Sequence, residues 1–309
     1  MARDNGGGGA WPPLPLAEWL QTYQTLHMWS QVIGKIRLAH APFINHYWHV
    51  PLYLTSRGLS TSVMPYAERS FELELDFVDH QLTLRSDRGT AGFALEPMSV
   101  AAFYRRTLEL LEADDLRTTI WTTPVEVERR VPFEQDEELA TYDPDHATRH
   151  WRVLSSAHRV LSEFRGRFIG KCSPVHFFWG AFDLAVTRFS GRTAPPHPGS
   201  PNVARFVMRE SYSHELSSCG FWPGGGPLPE PIFYAYAYPE PAGFATAAIG
   251  PRGYYHPDLR EFVLPYEAVR TAADPAATLG LFLQRSYEAA ADAAGWDRSA
   301  LERQDPRPG

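Results

Sequence analysis

The sequence has little that would suit a secreted or membrane-bound protein. Its 309 residues include only two cysteines, Cys172 and Cys219, which are too few for a disulfide scaffold and typical of a reducing compartment. No run of about 20 uncharged apolar residues occurs, so no membrane-spanning helix is predicted. Residues 1–10 hold a glycine run rather than a basic region followed by an apolar stretch, which argues against a signal peptide. We therefore expect a cytoplasmic protein.

Basic clusters and nucleotide-binding motifs are also missing. The net charge is −7, and no group of lysines and arginines forms a stripe that would follow a phosphate backbone, so nucleic acid is not an expected partner. There is neither a P-loop nor a Gly-x-Gly-x-x-Gly after a strand, and Gly224–Gly226 lies between prolines and opens no helix. The expected partner is a small molecule, and the oligomeric state stays open.

Aromatic residues and prolines are abundant. The chain has nine Trp, fourteen Tyr, eighteen Phe and 27 Pro, a composition that suits short strands, turns and rigid loops better than a helix bundle. Helical and strand periodicities both occur, so the predicted fold class is α+β. The predicted helices are 16–38, 99–112, 145–168 and 275–294. The predicted strands are 49–54, 70–78, 81–85, 118–127, 176–189, 207–217 and 232–238.

The order of these elements suggests two halves. Residues 1–13 are predicted to be a flexible tail, 14–130 the first half, 131–143 an acidic linker, 144–296 the second half and 297–309 a polar tail. Each half has a long helix, an antiparallel sheet of about four strands and a second helix, and Arg37/His46 and Arg167/His176 repeat one spacing. A duplication and a chance similarity both fit so few identities. A duplication would place a ligand cleft between the halves.

Several strings resemble a known family. They are 11–19 (WPPLPLAEW), 26–37 (LHMWSQVIGKIR), 48–53 (WHVPLY), 168–180 (FIGKCSPVHFFWG) and 211–226, which includes SYSHELSSCGFWPGG. They are similar to a bacterial family known as domain of unknown function 5996, and the resemblance covers about residues 11–296. It implies no reaction, cofactor or catalytic residue.

The stretch from His176 to Asp183 carries two titratable groups. If residues 176–189 form one strand, His176 and Phe178 face one side while Asp183 faces the other. The two groups would then act together only if a bulge at Gly180 shifts the register. The alternative is a core histidine beside aromatic rings.

The richest segment is the predicted strand that includes His214, Glu215 and Cys219. It is polar on both faces, as at an exposed edge or the wall of a cleft. Cys219 would be a nucleophile activated by a histidine or a haem thiolate ligand, and the alternative is an inert buried thiol.

The loop after this strand favours the cleft. Gly224 would let the backbone approach a ligand, while Phe221 and Trp222 would provide flat apolar walls. Tyr236, on a strand face with two other tyrosines, would extend this wall. These four residues are the predicted cofactor- or ligand-binding residues.

A metal centre is a further hypothesis. His176, His214, Glu215 and His49 offer imidazole and carboxylate donors that suit a divalent transition metal. No compact ligand motif occurs, so separate strands would have to bring them together. His46 and His49 would face opposite sides of a strand, so at most one of them would reach across from the first half.

Two classes of function fit these candidate residues best. The first is an enzyme that acts on a small molecule in a cleft between the halves, with or without a metal, using His214, Glu215, Cys219, His176 and Asp183 as catalytic residues. The second is a non-catalytic protein that binds a small molecule in a Trp/Tyr-lined pocket. A structural or partner-binding protein, in which these residues belong to the core, is the third alternative.

Overall fold

The computed structural model describes residues 9–226 and 228–304. Within them the chain forms seven α-helices: α1 (Leu16–His40), α2 (Val100–Ala113), α3 (Pro144–Gly166), α4 (Arg205–Ser211), α5 (Tyr266–Arg270), α6 (Pro275–Ala293) and α7 (Arg298–Leu301). Short 3-10 turns occur at Asn45–Tyr47, Phe133–Gln135 and Phe244–Thr246. None of the described helices is long and apolar enough to cross a membrane.

Helix starts follow the local sequence. The Ser99 hydroxyl accepts a hydrogen bond from the Ala102 N–H at the start of α2. Asp143 and Asp274 cap α3 and α6 in the same way, and in both helices a proline follows the cap. A side-chain acceptor before a helix satisfies a free backbone N–H, and proline fits the first helical position. The four predicted helices are therefore confirmed, with ends shifted by a few residues.

The first sheet has six strands within the described residues. They are β1 (Tyr53–Leu54), β2 (Gly58–Ser60), β3 (Met64–Tyr66), β4 (Arg69–Asp76), β5 (Gln81–Ser86) and β6 (Gly89–Ala94). Their order is β1-β2-β4-β5-β6, with β3 also paired to β4, and all pairs are antiparallel. Leu73 and Leu75 are buried, as the alternating pattern predicts, but Glu74 and Asp76, which the pattern places on the exposed face, are buried as well.

The second sheet also has six strands within the described residues. They are β7 (His176–Phe178), β8 (Asp183–Thr193), β9 (His214–Trp222), β10 (Ile232–Tyr238), β11 (Tyr254–His256) and β12 (Glu261–Pro265). Their order is β11-β12-β10-β9-β8-β7, again antiparallel. Both sheets are thus larger than the four strands expected, while the α+β class is confirmed.

The two sheets meet at one pair of residues. Leu52 and Phe177 exchange backbone hydrogen bonds of 2.8 Å in both directions. Tyr53 follows Leu52 and His176 precedes Phe177, so these two side chains lie opposite each other across this junction. We call the junction the seam.

Four predicted strands differ from the structure. Of residues 49–54, only Tyr53 and Leu54 form a strand, β1. Residues 118–127 form an irregular segment that crosses α1. The predicted strand 207–217 is instead α4 followed by the start of β9. The predicted strand 176–189 is a hairpin, in which Phe178 pairs with Asp183. A propensity for strand is overridden here by contacts that residues distant in sequence supply.

The predicted tails and linker contain ordered parts. Residues 1–8 and 305–309 of the predicted tails lie outside the described residues. The ring of Trp11 packs against Phe233, with centroids 6.3 Å apart, and the Tyr266 hydroxyl donates to the Pro12 carbonyl at 2.7 Å. Phe133, in the predicted linker, is fully buried. The segment 131–143 therefore packs on the body of the protein.

Candidate functional site

The second sheet has two chemically different faces. Alternate residues of its strands, including Leu184, Phe221 and Phe233, are fully buried and belong to the main core, which α3 and α6 complete. Most of the residues that alternate with them are polar. Asp183, Ser218, Gly220, Tyr234, Tyr236 and Glu261 all lie on the opposite face. The candidate site is on this polar face.

A tyrosine and an aspartate are linked across the centre of this face. The Tyr234 hydroxyl donates a hydrogen bond to the carboxyl of Asp183. Gly220 lies on β9, between the strands that carry the two residues. A Cβ at position 220 would come within 2.6 Å of the Tyr234 hydroxyl. The absence of a side chain there lets the phenol cross β9 to reach the aspartate.

A second carboxyl group, from Glu126, approaches from the segment that crosses α1. Glu126 lies against Gly180 in the turn between β7 and β8, where a Cβ would come within 2.0 Å of its Oε1. Its backbone has φ of 59°, a conformation uncommon for a residue other than glycine. Such a conformation persists only where the surrounding structure holds it.

Helix α1 provides the contacts that hold this segment. The Gln31 amide donates to the Val125 carbonyl at 2.8 Å and accepts from the Val125 N–H at 3.0 Å. Lys35 donates to the carbonyls of Trp121, at 2.9 Å, and Thr123. These side chains lie on one face of the helix, and they fix the backbone immediately before Glu126.

The same helix face also holds the turn between β7 and β8. His27 donates from Nε2 to the Gly180 carbonyl at 2.8 Å. Burial lowers the pKa of His27 to about 4, so the ring is neutral and keeps a single N–H for this bond. The indole of Trp179 lies against Gly34, where a Cβ would come within 2.3 Å of the ring. The Leu26–Arg37 string thus serves as a frame for two loops of the site.

Glu261 and a group of tyrosines complete the polar face. Glu261 begins β12 beside Phe262, which pairs with Ala235, and this register brings Glu261 next to Tyr236. The hydroxyls of Tyr236 and Tyr212 are 2.9 Å apart and share a hydrogen bond. The rings of Tyr234 and Tyr236 are stacked with centroids 6.1 Å apart. Burial raises the pKa of Tyr212 to about 12 and those of Tyr234 and Tyr236 well above their usual value. All three phenols are therefore neutral near pH 7.

The three carboxyl groups, which we call the carboxyl cluster (Glu126, Asp183 and Glu261), have raised pKa values. Burial raises the pKa of Asp183 to about 6. Burial, and then the charge of Asp183, raise the pKa of Glu126 to about 7 and that of Glu261 to about 8. No lysine or arginine among the described residues forms a salt bridge with them or lowers these pKa values. Each carboxyl is therefore easier to protonate than in water.

Glu126 is the member of the carboxyl cluster that is exposed to solvent. More than a third of its surface is exposed to solvent, yet desolvation is the largest cause of its raised pKa. A side chain surrounded by protein on most sides but still reached by solvent has both properties.

Part of the predicted site lies at the carboxyl cluster. Asp183 is a member of the cluster, and Tyr236 is part of its aromatic wall. Trp222 is half-buried and donates from its indole N–H to the Ala181 carbonyl at 3.1 Å, close to Asp183 in the chain. The hairpin places His176 and Asp183 on the same face of the sheet, so the expectation that they face opposite sides is wrong.

His214 and Glu215 lie elsewhere. His214 is at the start of β9, with its ring 5.5 Å from that of His46 and its Nδ1 3.1 Å from the Ser213 hydroxyl. Glu215 accepts from the Ser190 hydroxyl and pairs with Arg192 at 2.6 Å. The contact between His46 and His214 joins segments from the two predicted halves, but it forms no group with His176 or Asp183.

Three other predicted site residues lie in the core or in a turn, away from the carboxyl cluster. They are Cys219, Phe221 and Gly224. Cys219 and Phe221 are buried on the apolar face of the sheet, opposite the carboxyl cluster. Burial raises the pKa of the Cys219 thiol to about 12, which opposes formation of a thiolate nucleophile or ligand. Gly224 has φ of 96° in a tight turn, where a Cβ would come within 2.5 Å of the Glu230 carbonyl. The backbone conformation and the close contact both require glycine at position 224.

The predicted metal ligands are not brought together. His176 is fully buried at the seam, and His49 is buried with Nδ1 3.3 Å from the Ile44 carbonyl. His214 and Glu215 are at the far end of β9. Among the described residues, no three His, Cys, Asp or Glu side chains are close enough to hold a metal ion. Strand pairing, which fixes which residues become neighbours, separates these four donors.

Sequence patterns missed two members of the cluster. Glu261 alternates with Val263 on β12, and this pattern could have placed it on the face of Tyr234. Glu126 lies in the segment predicted to be a strand, where it looked like an ordinary solvent-facing residue. Its position depends on Gln31, which is 95 residues earlier in the chain, and no local pattern records that contact.

Comparison with known families agrees with the full-length resemblance. Residues 11–303 match the model of a family of unknown function, DUF5996, and the chain belongs to this family. No curated protein and no solved structure matches it.

Proposed function

We propose that this protein is an enzyme that carries out acid–base chemistry on a small molecule bound over the carboxyl cluster. The observation that carries the proposal is the set of neighbouring carboxyl groups with pKa values of about 6, 7 and 8. At neutral pH Asp183 is mainly ionised and Glu261 mainly protonated, so one site holds both a base and an acid. Groups that titrate near the working pH are the most effective in proton transfer.

The surroundings indicate the charge of the substrate. The cleft presents carboxyl groups and phenols, and no described lysine or arginine lies among them. An anionic substrate would be repelled, whereas an uncharged or positively charged molecule would be accepted. Trp222 and the stacked tyrosines offer flat surfaces for a ring or a cationic group.

The test uses the purified full-length protein. Chromogenic esters, amides and glycosides with uncharged or cationic groups would be screened for turnover. An activity from this site would be lost in Asp183→Asn and in Glu261→Gln, while Glu215→Gln, a matched change of a surface carboxylate, would keep it. Equal activity in all four proteins, or carboxyl groups that titrate near pH 4 by ¹³C NMR, would contradict the proposal.

A second candidate is a binding protein without catalysis. It is favoured by the aromatic wall formed by Trp222, Tyr234 and Tyr236. In that case Trp222→Ala would abolish ligand binding, while Asp183→Asn and Glu261→Gln would leave the affinity nearly unchanged. Calorimetry with the same compounds separates the two candidates.

A further inference from the structure

The seam between the sheets contains a histidine with no partner. His176 is fully buried, and neither ring nitrogen has a hydrogen-bond partner among the described residues. Its ring is surrounded by those of Phe178 at 4.6 Å and of Trp48 and Tyr53, each at 6.4 Å. Buried polar groups are nearly always hydrogen-bonded. The described residues, however, supply no hydrogen-bond partner to this ring.

A buried arginine lies beside it. Arg37 of α1 is 6% exposed, donates from Nη1 to the Thr61 carbonyl and lies 5.3 Å from the centre of the Tyr53 ring. Its Nε is buried without a partner. No carboxylate among the described residues pairs with it, and none contributes to its pKa, which burial lowers. Buried arginines are rarely left without an opposite charge.

The two charged groups that act on His176 are both positive. Arg37 and Arg165 are the charged groups that act on His176, and Arg165 donates to the Ser173 carbonyl at 2.6 Å. Burial, then these two guanidinium groups, lower the pKa of His176 to about 3. The local charge is therefore positive and has no described counter-charge.

Another buried arginine shows how such a charge is otherwise accommodated. Arg188 is 1% exposed and also lacks a carboxylate in direct contact, but it lies between aromatic rings. Its guanidinium carbon is 3.4 Å from the centre of the Phe164 ring and 4.4 Å from that of Tyr287. These close ring faces stabilise the cation. Arg37 has one more distant ring and no second face.

We infer that the seam binds a small oxyanion, such as a phosphate or carboxylate group, between Arg37 and His176. The planar guanidinium suits such an oxyanion, and the imidazole would donate a further hydrogen bond to it. Trp48, Tyr53 and Phe178 are only partly buried, so the site lies just below a surface that solvent reaches. This site is separate from the carboxyl cluster, and the proposal does not depend on the proposed reaction.

The decisive measurement follows the histidine rings by ¹⁵N NMR in the unmodified protein. Inorganic phosphate is compared with chloride at matched ionic strength. His150 is an internal control, because it too is fully buried with both nitrogens unpartnered, but burial alone lowers its pKa to about 3. Phosphate should raise the pKa of His176 by at least about one unit and leave His150 unchanged.

Calorimetry with phosphate adds a test of Arg37. Arg37→Met should weaken binding by about 10- to 100-fold, the usual effect of losing a charge-assisted hydrogen bond. Arg57→Met, which removes a surface arginine paired with Asp76, should bind phosphate as the unmodified protein does. If Arg37→Met does not fold, the His176 titration still decides the question.

Two results would overturn the inference. One is a His176 pKa that is the same in phosphate and in chloride, which would indicate a buried water molecule in place of an anion. The other is equal phosphate affinity in Arg37→Met and the unmodified protein.

Discussion

The phenol of Tyr234 crosses β9 to hydrogen-bond the carboxyl of Asp183. Gly220 makes this crossing possible, because any side chain on it would occupy the space of the phenol. The hydrogen bond lowers the pKa of Asp183, against the larger effect of burial. One glycine therefore influences the charge of a carboxyl group on the neighbouring strand.

Replacing Gly220 should change the pKa of the Asp183 carboxyl group. Gly220→Ala is expected to displace Tyr234, raise the pKa of Asp183 above about 6 and lower the free energy of unfolding. Gly92→Ala is the matched control, since its added methyl meets the Leu82 carbonyl in another antiparallel pair and no tyrosine. The loss should exceed that of the control by about 1–3 kcal/mol. Urea unfolding and ¹³C NMR measure the two effects, and equal losses in both variants would contradict the expectation.

Stability should depend on the protonation of Asp183. Its pKa rises from 3.8 to about 6 on folding, so the folded protein binds the proton more tightly than the unfolded chain. The associated stability, about 3 kcal/mol from the shift, is present below pH 4 and is lost as the pH rises through 6. The buried histidines act in the opposite direction, because their pKa values fall on folding.

The comparison with Asp183→Asn removes the contribution of the histidines, because both proteins retain them. The difference in unfolding free energy between the two proteins should change most between pH 4 and pH 6.5. A smaller change should continue to about pH 8, because the charge of Asp183 also raises the pKa values of Glu126 and Glu261. A difference that is constant from pH 3.5 to pH 8 would show that Asp183 titrates normally.

Gln31 should control the position of Glu126. Gln31→Met removes the paired hydrogen bonds to Val125 while roughly keeping the side-chain volume, so the segment should loosen. We expect faster hydrogen exchange at the Val125 amide and a pKa of Glu126 that falls from about 7 toward its ordinary value. Gln21→Met, an exposed position on the same helix, should change neither. An unchanged Glu126 pKa in Gln31→Met would show that other contacts hold the segment.

Cys219 should be chemically inert in the folded protein. In a Cys172→Ser background, a disulfide reagent should label Cys219 only after unfolding, since burial raises its pKa to about 12. Cys219→Ala should cost about 1 kcal/mol of stability, as expected for a small buried side chain, and leave any activity intact. Rapid labelling of the native protein would restore Cys219 as a candidate nucleophile.

Local patterns predicted the fold better than the site. Alternation along β4 and the capping residues Ser99 and Asp143 act within a few positions, so the sequence records them directly. The site depends on contacts between distant segments. The choice of His214 and Glu215 rests on a strand that is polar on both faces, and this pattern does not show which residues of other strands lie beside each face.

Asp183 lies on the same face of the sheet as His176, not on the opposite face as the sequence pattern predicts. A hairpin at residues 179–182 replaced the continuous strand, and hairpins without an Asn-Gly or Asp-Gly turn are hard to detect. The turn includes Phe182 with φ of 62°, a conformation that a phenylalanine in the sequence does not predict. The position of Glu126 could not be predicted locally, because it depends on contacts with Gln31 and Gly180, which are distant in the sequence.

The hydrogen-bonded pair Leu52 and Phe177 has a consequence for protein engineering. Each residue covers the edge of the other sheet, so a cut between the two sheets would expose an unpaired strand edge on both fragments. Exposed edges recruit other chains, and fragments made separately would tend to aggregate. Produced together, the same fragments should reassemble through this edge, which makes the seam a natural place to divide the protein into two complementing parts.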